Sequence, residues 1–300
     1  MMIRIRDDRN RELIFGAAPK RVVSLVPSDT LTIADLGCAD ALVGRTDYCE
    51  LPADVVAKLP SVGGTKDARA AAIMDLQPDL VVANQEENTR GTLESLVQAG
   101  VRVYIAFPKR VADGLAHMAK LARIFRVERD PRVRDLVKRG YDAVREADAD
   151  RAARRPLRTF CPIWMQPLMT IHGSTFISDM LLLAGAENVF AGRERRYPLA
   201  ADLGRGTIAA PEDVAGRDVR YPRVTLEEVV LAQPELILLP DEPHPFSEAD
   251  ADSFRALDVP AARAGAVVRT NGKDLCWYGS RSVDGLGRVR ALVERHRVYS

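Results

Sequence analysis

The chain has 300 residues, 47% of them apolar, and a formal charge of +1 with acids and bases interleaved along its length. That is enough apolar material for one large core or two medium ones, which excludes a disordered chain. Nothing in the charge pattern favours nucleic acid or an anionic membrane surface, and no window approaches the roughly 18 apolar residues of a membrane span. The opening MMIRIRDDRNRELIF has no apolar export segment, so the chain as written is expected to be cytoplasmic, and exported only if its true start lies upstream. Cys38, Cys49, Cys161 and Cys276 form no CxxC pair, so reduced thiols are expected in place of a zinc knuckle or a disulfide framework.

In chain order, Ile3, Ile5, Leu13 and Phe15 flank the polar Asp7-Asp8-Arg9-Asn10 and predict an edge hairpin. RVVSLVPS (21–28) predicts a strand, and Ser28-Asp29-Thr30 predicts the cap of a helix running to Gly37. Strands are expected at 41–44, 80–83 and 101–106, with helices at 68–76, 89–99 and 111–125. Beyond residue 156, strands are expected at 158–164, 236–239 and 266–269, with helices at 176–184, 225–232, 247–256 and 282–296. Such alternation predicts α/β architecture built on mostly parallel sheets.

Between the two runs lies DPRVRDLVKRGYDAVREADADRAARR (130–155). Asp130 is a good N-cap and Pro131 suits the first helical position; Val133, Leu136, Val137, Tyr141 and Val144 form one apolar stripe among charged residues. This predicts a long strut between two bodies. The expected domains are therefore an N-terminal lobe at 1–129, a bridging helix at 130–155 and a C-terminal lobe at 156–300. DLQPDLVVANQEE (75–87) and VLAQPELILLPDE (230–242) echo each other across the strut, which supports two related lobes. Residues 191–223 have no sustained period and carry RRYP and VRYP, predicting an irregular loop beside a site, with Arg193 to Arg196 on a solvated face.

Ligands of open parallel sheets bind beyond the carboxyl ends of the strands. The loops expected there supply Tyr48, Trp164, Trp277, Tyr278 and Tyr221 as flat surfaces and Asp47, Lys66, Glu86, Glu87 and Arg281 as polar groups, suited to a large, partly planar ligand. Cys49 and Asn84 complete the candidate set. Gly63 and Gly64 would let the backbone near Lys66 approach a ligand. His172 and His244 lie in second-lobe loops but show no HxxxH spacing, so no metal site is read. Phosphate-loop, nucleophile-elbow and dinucleotide motifs are absent. An enzyme acting on a corrinoid or cofactor precursor, with Cys49 and Glu86 or Glu87 as reactive groups, is the alternative.

The opening hairpin and RVVSLVPS, then VGRTDYCELP, VGGTKD, LQPDLVVANQEEN, the strut, PELILLPDEP and WYGSRS resemble the helical-backbone metal receptors. These are class III binding proteins that include cobalamin- and siderophore-binding receptors. The resemblance implies two Rossmann-like lobes joined by a single backbone helix. It also implies a monomer without catalysis and without a required cofactor, holding a corrinoid, haem or ferric chelate between its lobes. It aligns Tyr48, Trp277, Tyr221 and Trp164 with aromatic ligand positions, whereas Lys66 and Asn84 replace aromatics of the cobalamin receptors. Receptors of this kind dock on an ABC permease through one surface acid per lobe; Glu227 matches in the second lobe, but the first has Ala70-Ala71-Ala72.

Overall fold

A computed structural model describes residues 2–297. The chain divides into two compact units, one running to Asp142 and including Trp277–Val283, the other comprising Ala143–Cys276 and the residues from Asp284 onward. The segment around Trp277 thus belongs to the first unit, whereas 156–300 was expected to form one continuous lobe.

In the first unit, β1 (Ile3–Arg6) and β2 (Glu12–Phe15) form the antiparallel edge hairpin. Its turn closes on Asp7, whose carboxylate accepts the backbone N–H of Arg9 (3.0 Å) and Arg11 (2.8 Å). Asn10 takes the left-handed conformation that asparagine tolerates (φ 61°). The strands β3 (Val22–Ser24), β4 (Leu42–Gly44), β5 (Leu80–Asn84) and β6 (Val103–Ala106) form a parallel sheet in the order β4-β3-β5-β6. LVVAN of β5 is buried throughout, as a central parallel strand covered on both faces requires. Val23, Leu25, Val81, Ala83, Ile105, Leu93 and Leu96 share one core cluster.

The second unit repeats the plan. Its sheet comprises β7 (Leu157–Phe160), β10 (Ala186–Asn188), β11 (Leu236–Pro240) and β12 (Val267–Thr270), in the order β10-β7-β11-β12, all parallel. β8 (Pro162–Met165) and β9 (Leu168–Thr170) form a separate antiparallel hairpin. The one strand expected over 158–164 is therefore two, because Cys161 ends the sheet strand and the chain then pairs with β9. Within each parallel sheet the chain order of neighbours is second, first, third, fourth. The sequence echo falls on the third strand of both, and the glutamine before each proline is left-handed, Gln77 at φ 46° and Gln233 at φ 45°.

The strut is one continuous helix, Pro131–Ala152, of 22 residues, about 33 Å at about 1.5 Å per residue. Asp130 caps it, accepting the Arg132 N–H at 2.8 Å. Val133, Gly140 and Ala147 are its buried positions, with Leu136, Val137 and Val144 half-buried beside them. Tyr141, expected on that stripe, is 41% exposed instead. Gly140 takes its place because a Cβ there would come within 2.5 Å of Leu115 Cδ2. No helix among the described residues is long and apolar enough to cross a membrane.

Candidate ligand-binding site

In each parallel sheet the strand order reverses between the first and third strands, and the crevice outside that point is where α/β sheets bind ligands. In the first unit it lies beyond β3 and β5. The helix after β3 begins at Pro27, two residues earlier than a Ser28 cap would place it, and its N-cap Val26 makes no side-chain bond. Asp29 is therefore free of capping duty. Fully buried, it faces His117 Nε2 at 2.5 Å and accepts the Tyr278 hydroxyl proton at 2.9 Å.

That carboxylate is the centre of a closed polar network. Tyr104 Oη lies 3.3 Å from His117 Nδ1, and its ring is stacked on the imidazole. Burial, then the charge of Asp8, raises the Tyr104 pKa, which keeps the phenol protonated. Burial and the charge of Asp29 likewise raise Tyr278. Asn84 donates to the Tyr278 oxygen at 3.2 Å while its own carbonyl accepts the N–H groups of Glu86 (2.7 Å) and Glu87 (3.2 Å). Asn88 ties the neighbouring loops together, donating to the carbonyls of Leu25 and Thr65 and accepting the Asn84 N–H.

Outside this frame the loops after β4 and β5 present the remaining candidates. Tyr48 is 63% exposed, and its ring lies against Gly64, where an added Cβ would meet it at 3.2 Å and the Asp67 carboxylate closer still. Gly63 has φ +108°, so the glycine pair is required by the local fold of this loop. Lys66 donates to the Glu86 carbonyl, and Asp47 accepts from Ser61. Cys49 is only 3% exposed and sits between the hydroxyls of Thr30 (3.1 Å) and Thr46 (3.2 Å); burial raises its thiol pKa.

In the second unit the hairpin β8–β9 carries Trp164, 43% exposed, with its indole N–H on the Gln166 carbonyl at 3.1 Å. The His244 ring lies 5.2 Å from Trp164 and 4.7 Å from Phe246, so the loop after β11 braces the tryptophan from behind. Residues 220–223 run along β9, with the His172 and Thr170 N–H groups on the carbonyls of Arg220 (2.8 Å) and Pro222 (3.0 Å). This holds Tyr221, half-buried with the Arg220 guanidinium 5.5 Å from its ring, beside that hairpin. The 191–223 segment contains only the single turns Leu199–Asp202 and Pro211–Val214. It is nonetheless pinned, since buried Asp202 accepts from the Arg193 guanidinium (3.2 Å) and from the backbone of Arg196 and Arg223 (2.8 Å each). Arg193 is accordingly inside the loop, not on a solvated face.

Thus Tyr48, Asp47, Lys66, Trp164 and, in part, Glu86, Glu87 and Tyr221 stand at accessible loop positions, while Cys49, Asn84, Trp277 and Tyr278 are buried within the first unit. Asp29, His117 and Asn88 escaped sequence reasoning. The one signal was a histidine inside the apolar stripe of the Val111–Ile124 helix.

The periplasmic binding protein family model matches residues 22–219. The chain belongs to that family. It is 28% identical over 224 residues to the vitamin B12-binding protein of Yersinia pestis (strain Pestoides F), covering 74% of this chain and 70% of that protein. Among solved structures, the apo periplasmic haem-binding protein of Roseiflexus sp. RS-1 matches with a TM-score of 0.73 at 20% identity, over 94% of this chain and 99% of that one. The periplasmic vitamin B12-binding protein of Vibrio cholerae matches with a TM-score of 0.72 at 21% identity, over 93% and 98%. These neighbours establish the two-lobed α/β fold.

Proposed function

We propose that this chain is a non-catalytic binding protein for a metal-bearing or tetrapyrrole-like ligand: a corrinoid, haem or ferric chelate. The observation that carries the reading is the pair of exposed aromatics, Tyr48 and Trp164, each held by a braced loop in sheets of identical strand order. A large aromatic face left open on a rigid support suits a flat ligand. The names of the relatives, which bind vitamin B12 or haem, support the same class. Asp47, Lys66, Glu86, Glu87 and Tyr221 are proposed as further contacts; Cys49, Asn84, Trp277 and Tyr278 support them from within. A buried thiol with a raised pKa is poorly suited to nucleophilic attack, which weighs against the enzyme alternative. Glu227, exposed at the start of the Leu226–Ala232 helix, is the proposed second-unit contact for a permease.

The test is spectroscopic. The purified chain is titrated with cobalamin, cobinamide, haem and a ferric catecholate while its absorption and tryptophan fluorescence are followed. Saturable quenching with a shifted ligand band is expected for at least one of them. No response to any of the four overturns the reading.

A further inference from the structure

The Val111–Ile124 helix packs on the strut, but not evenly along its length. At one end the two touch, since Leu115 fills the space that a Cβ on Gly140 would need. Further along the same helical face come Ala119 and Ala122, and back along the strut from Gly140 come Val137 and Val133. Two alanines reach less far than one leucine, and a cavity of about 590 Å³ opens there, floored by these four residues. His117 points from the other side of its helix into the Asp29 network, so this cavity is separate from the candidate ligand site.

The rim is formed by Arg123, Arg134 and Lys138, with Glu128 and Asp135, and its charges are not balanced. From Lys120 to Arg139 the chain carries eight basic residues against three acids. Lys120 pairs with Asp8, Arg132 with Asp130, Lys138 with Asp142 and Arg139 with Asp135, while Arg126 donates to the Gly16 carbonyl. Among the described residues this leaves Arg123, Arg129 and Arg134 without an acid, and only Glu128 to offset them. Arg123 and Arg134 are both exposed and both border the cavity.

A cavity of this volume is in the range of small-molecule sites. An apolar floor under unmatched guanidinium groups favours a molecule that is apolar at one end and anionic at the other. We propose that the cavity binds a free amphipathic carboxylate, its apolar chain on Ala119, Ala122, Val133 and Val137 and its carboxylate held by Arg123 and Arg134. The site is additional to the proposed metal-chelate or tetrapyrrole site and does not depend on it.

The test is calorimetric titration of the full chain with decanoate, below its micelle concentration, and with decanol, at low ionic strength. Saturable binding of decanoate is expected, about tenfold tighter than that of decanol. The double variant Arg123→Gln/Arg134→Gln should reduce that preference to about twofold, Ala119→Phe should abolish binding by filling the cavity, and Trp164→Ala should leave it unchanged. Both arginines are exposed, so the double variant keeps the test decisive even where Ala119→Phe perturbs folding. No saturable binding of decanoate, a preference that survives the double substitution, or binding lost in Trp164→Ala overturns the proposal. Binding of the chain to phosphatidylglycerol vesicles with none to free decanoate assigns the basic rim to a membrane surface and overturns it as well.

Discussion

Beyond the carboxyl ends of the first sheet, Asp29, His117, Tyr104, Tyr278 and Asn84 satisfy one another and leave little for a ligand. Beyond the second, Trp164 lies open on a braced hairpin. One strand order thus carries two kinds of periphery. Closed networks of buried polar groups specify a rigid frame, whereas exposed aromatic faces are what recognition requires. The first unit joins Tyr48 to its frame through a loop; the second carries Trp164 on the hairpin itself.

Asp29→Ala should break this contrast most severely. It strips two buried donors of their acceptor at roughly 1–3 kcal/mol each, so a loss of about 3 kcal/mol is expected in chemical denaturation. A loss below about 0.5 kcal/mol would mean that the network is not what holds this end of the unit together. Tyr278→Phe keeps the ring and removes one hydroxyl shared with Asp29 and Asn84, and should cost about 1–2 kcal/mol.

The fold was largely legible because its signals are local and repeated. The Gln-Pro junctions, the buried runs of β5 and β11, and the Asp130-Pro131 helix start each state their structure in a few residues. What was hidden depends on distant partners. Nothing near Tyr278 indicates that its hydroxyl meets Asp29, 249 positions earlier, so its inward packing is not legible in the sequence. The partners of the Asn84 amide are hidden in the same way, since they lie on loops brought in by the sheet. Within the 193–196 run, Arg193 looked solvated because the acid that holds its side chain, Asp202, follows in an irregular stretch without a period, while Arg196 is exposed.

Trp164→Ala sharpens the comparison from the other side. A half-exposed residue outside the core should change stability by no more than about 0.5 kcal/mol, yet ligand affinity should fall about tenfold; equal losses of stability and binding would assign Trp164 to the frame. Thiol reactivity provides a milder check. Burial raises Cys38 to about 11 and Cys161 to about 12, and raises Cys49 as well. At pH 8 these thiols should alkylate at least about tenfold more slowly in the native chain than in urea, as peptide mapping would report.

The smallest effect expected is on acid stability of the 191–223 loop. Burial pushes Asp218 up, but its bonds from Arg220 and the charges of Arg220 and Arg195 outweigh that and hold the carboxyl below its ordinary value. A lowered folded-state pKa contributes stability that is fully present above about pH 4 and lost as pH falls through the folded value. The acid slope of the melting temperature below about pH 4 should therefore be shallower in Asp218→Asn than in the wild-type chain; equal slopes would remove Asp218 from this role.

The most direct test of the account is calorimetric titration of the wild-type and Trp164→Ala chains with haem and with cobalamin. Saturable one-to-one binding of at least one ligand to the wild-type chain, weakened about tenfold by Trp164→Ala, is the predicted result. Absence of binding to either ligand, or binding that the substitution leaves unchanged, would contradict it.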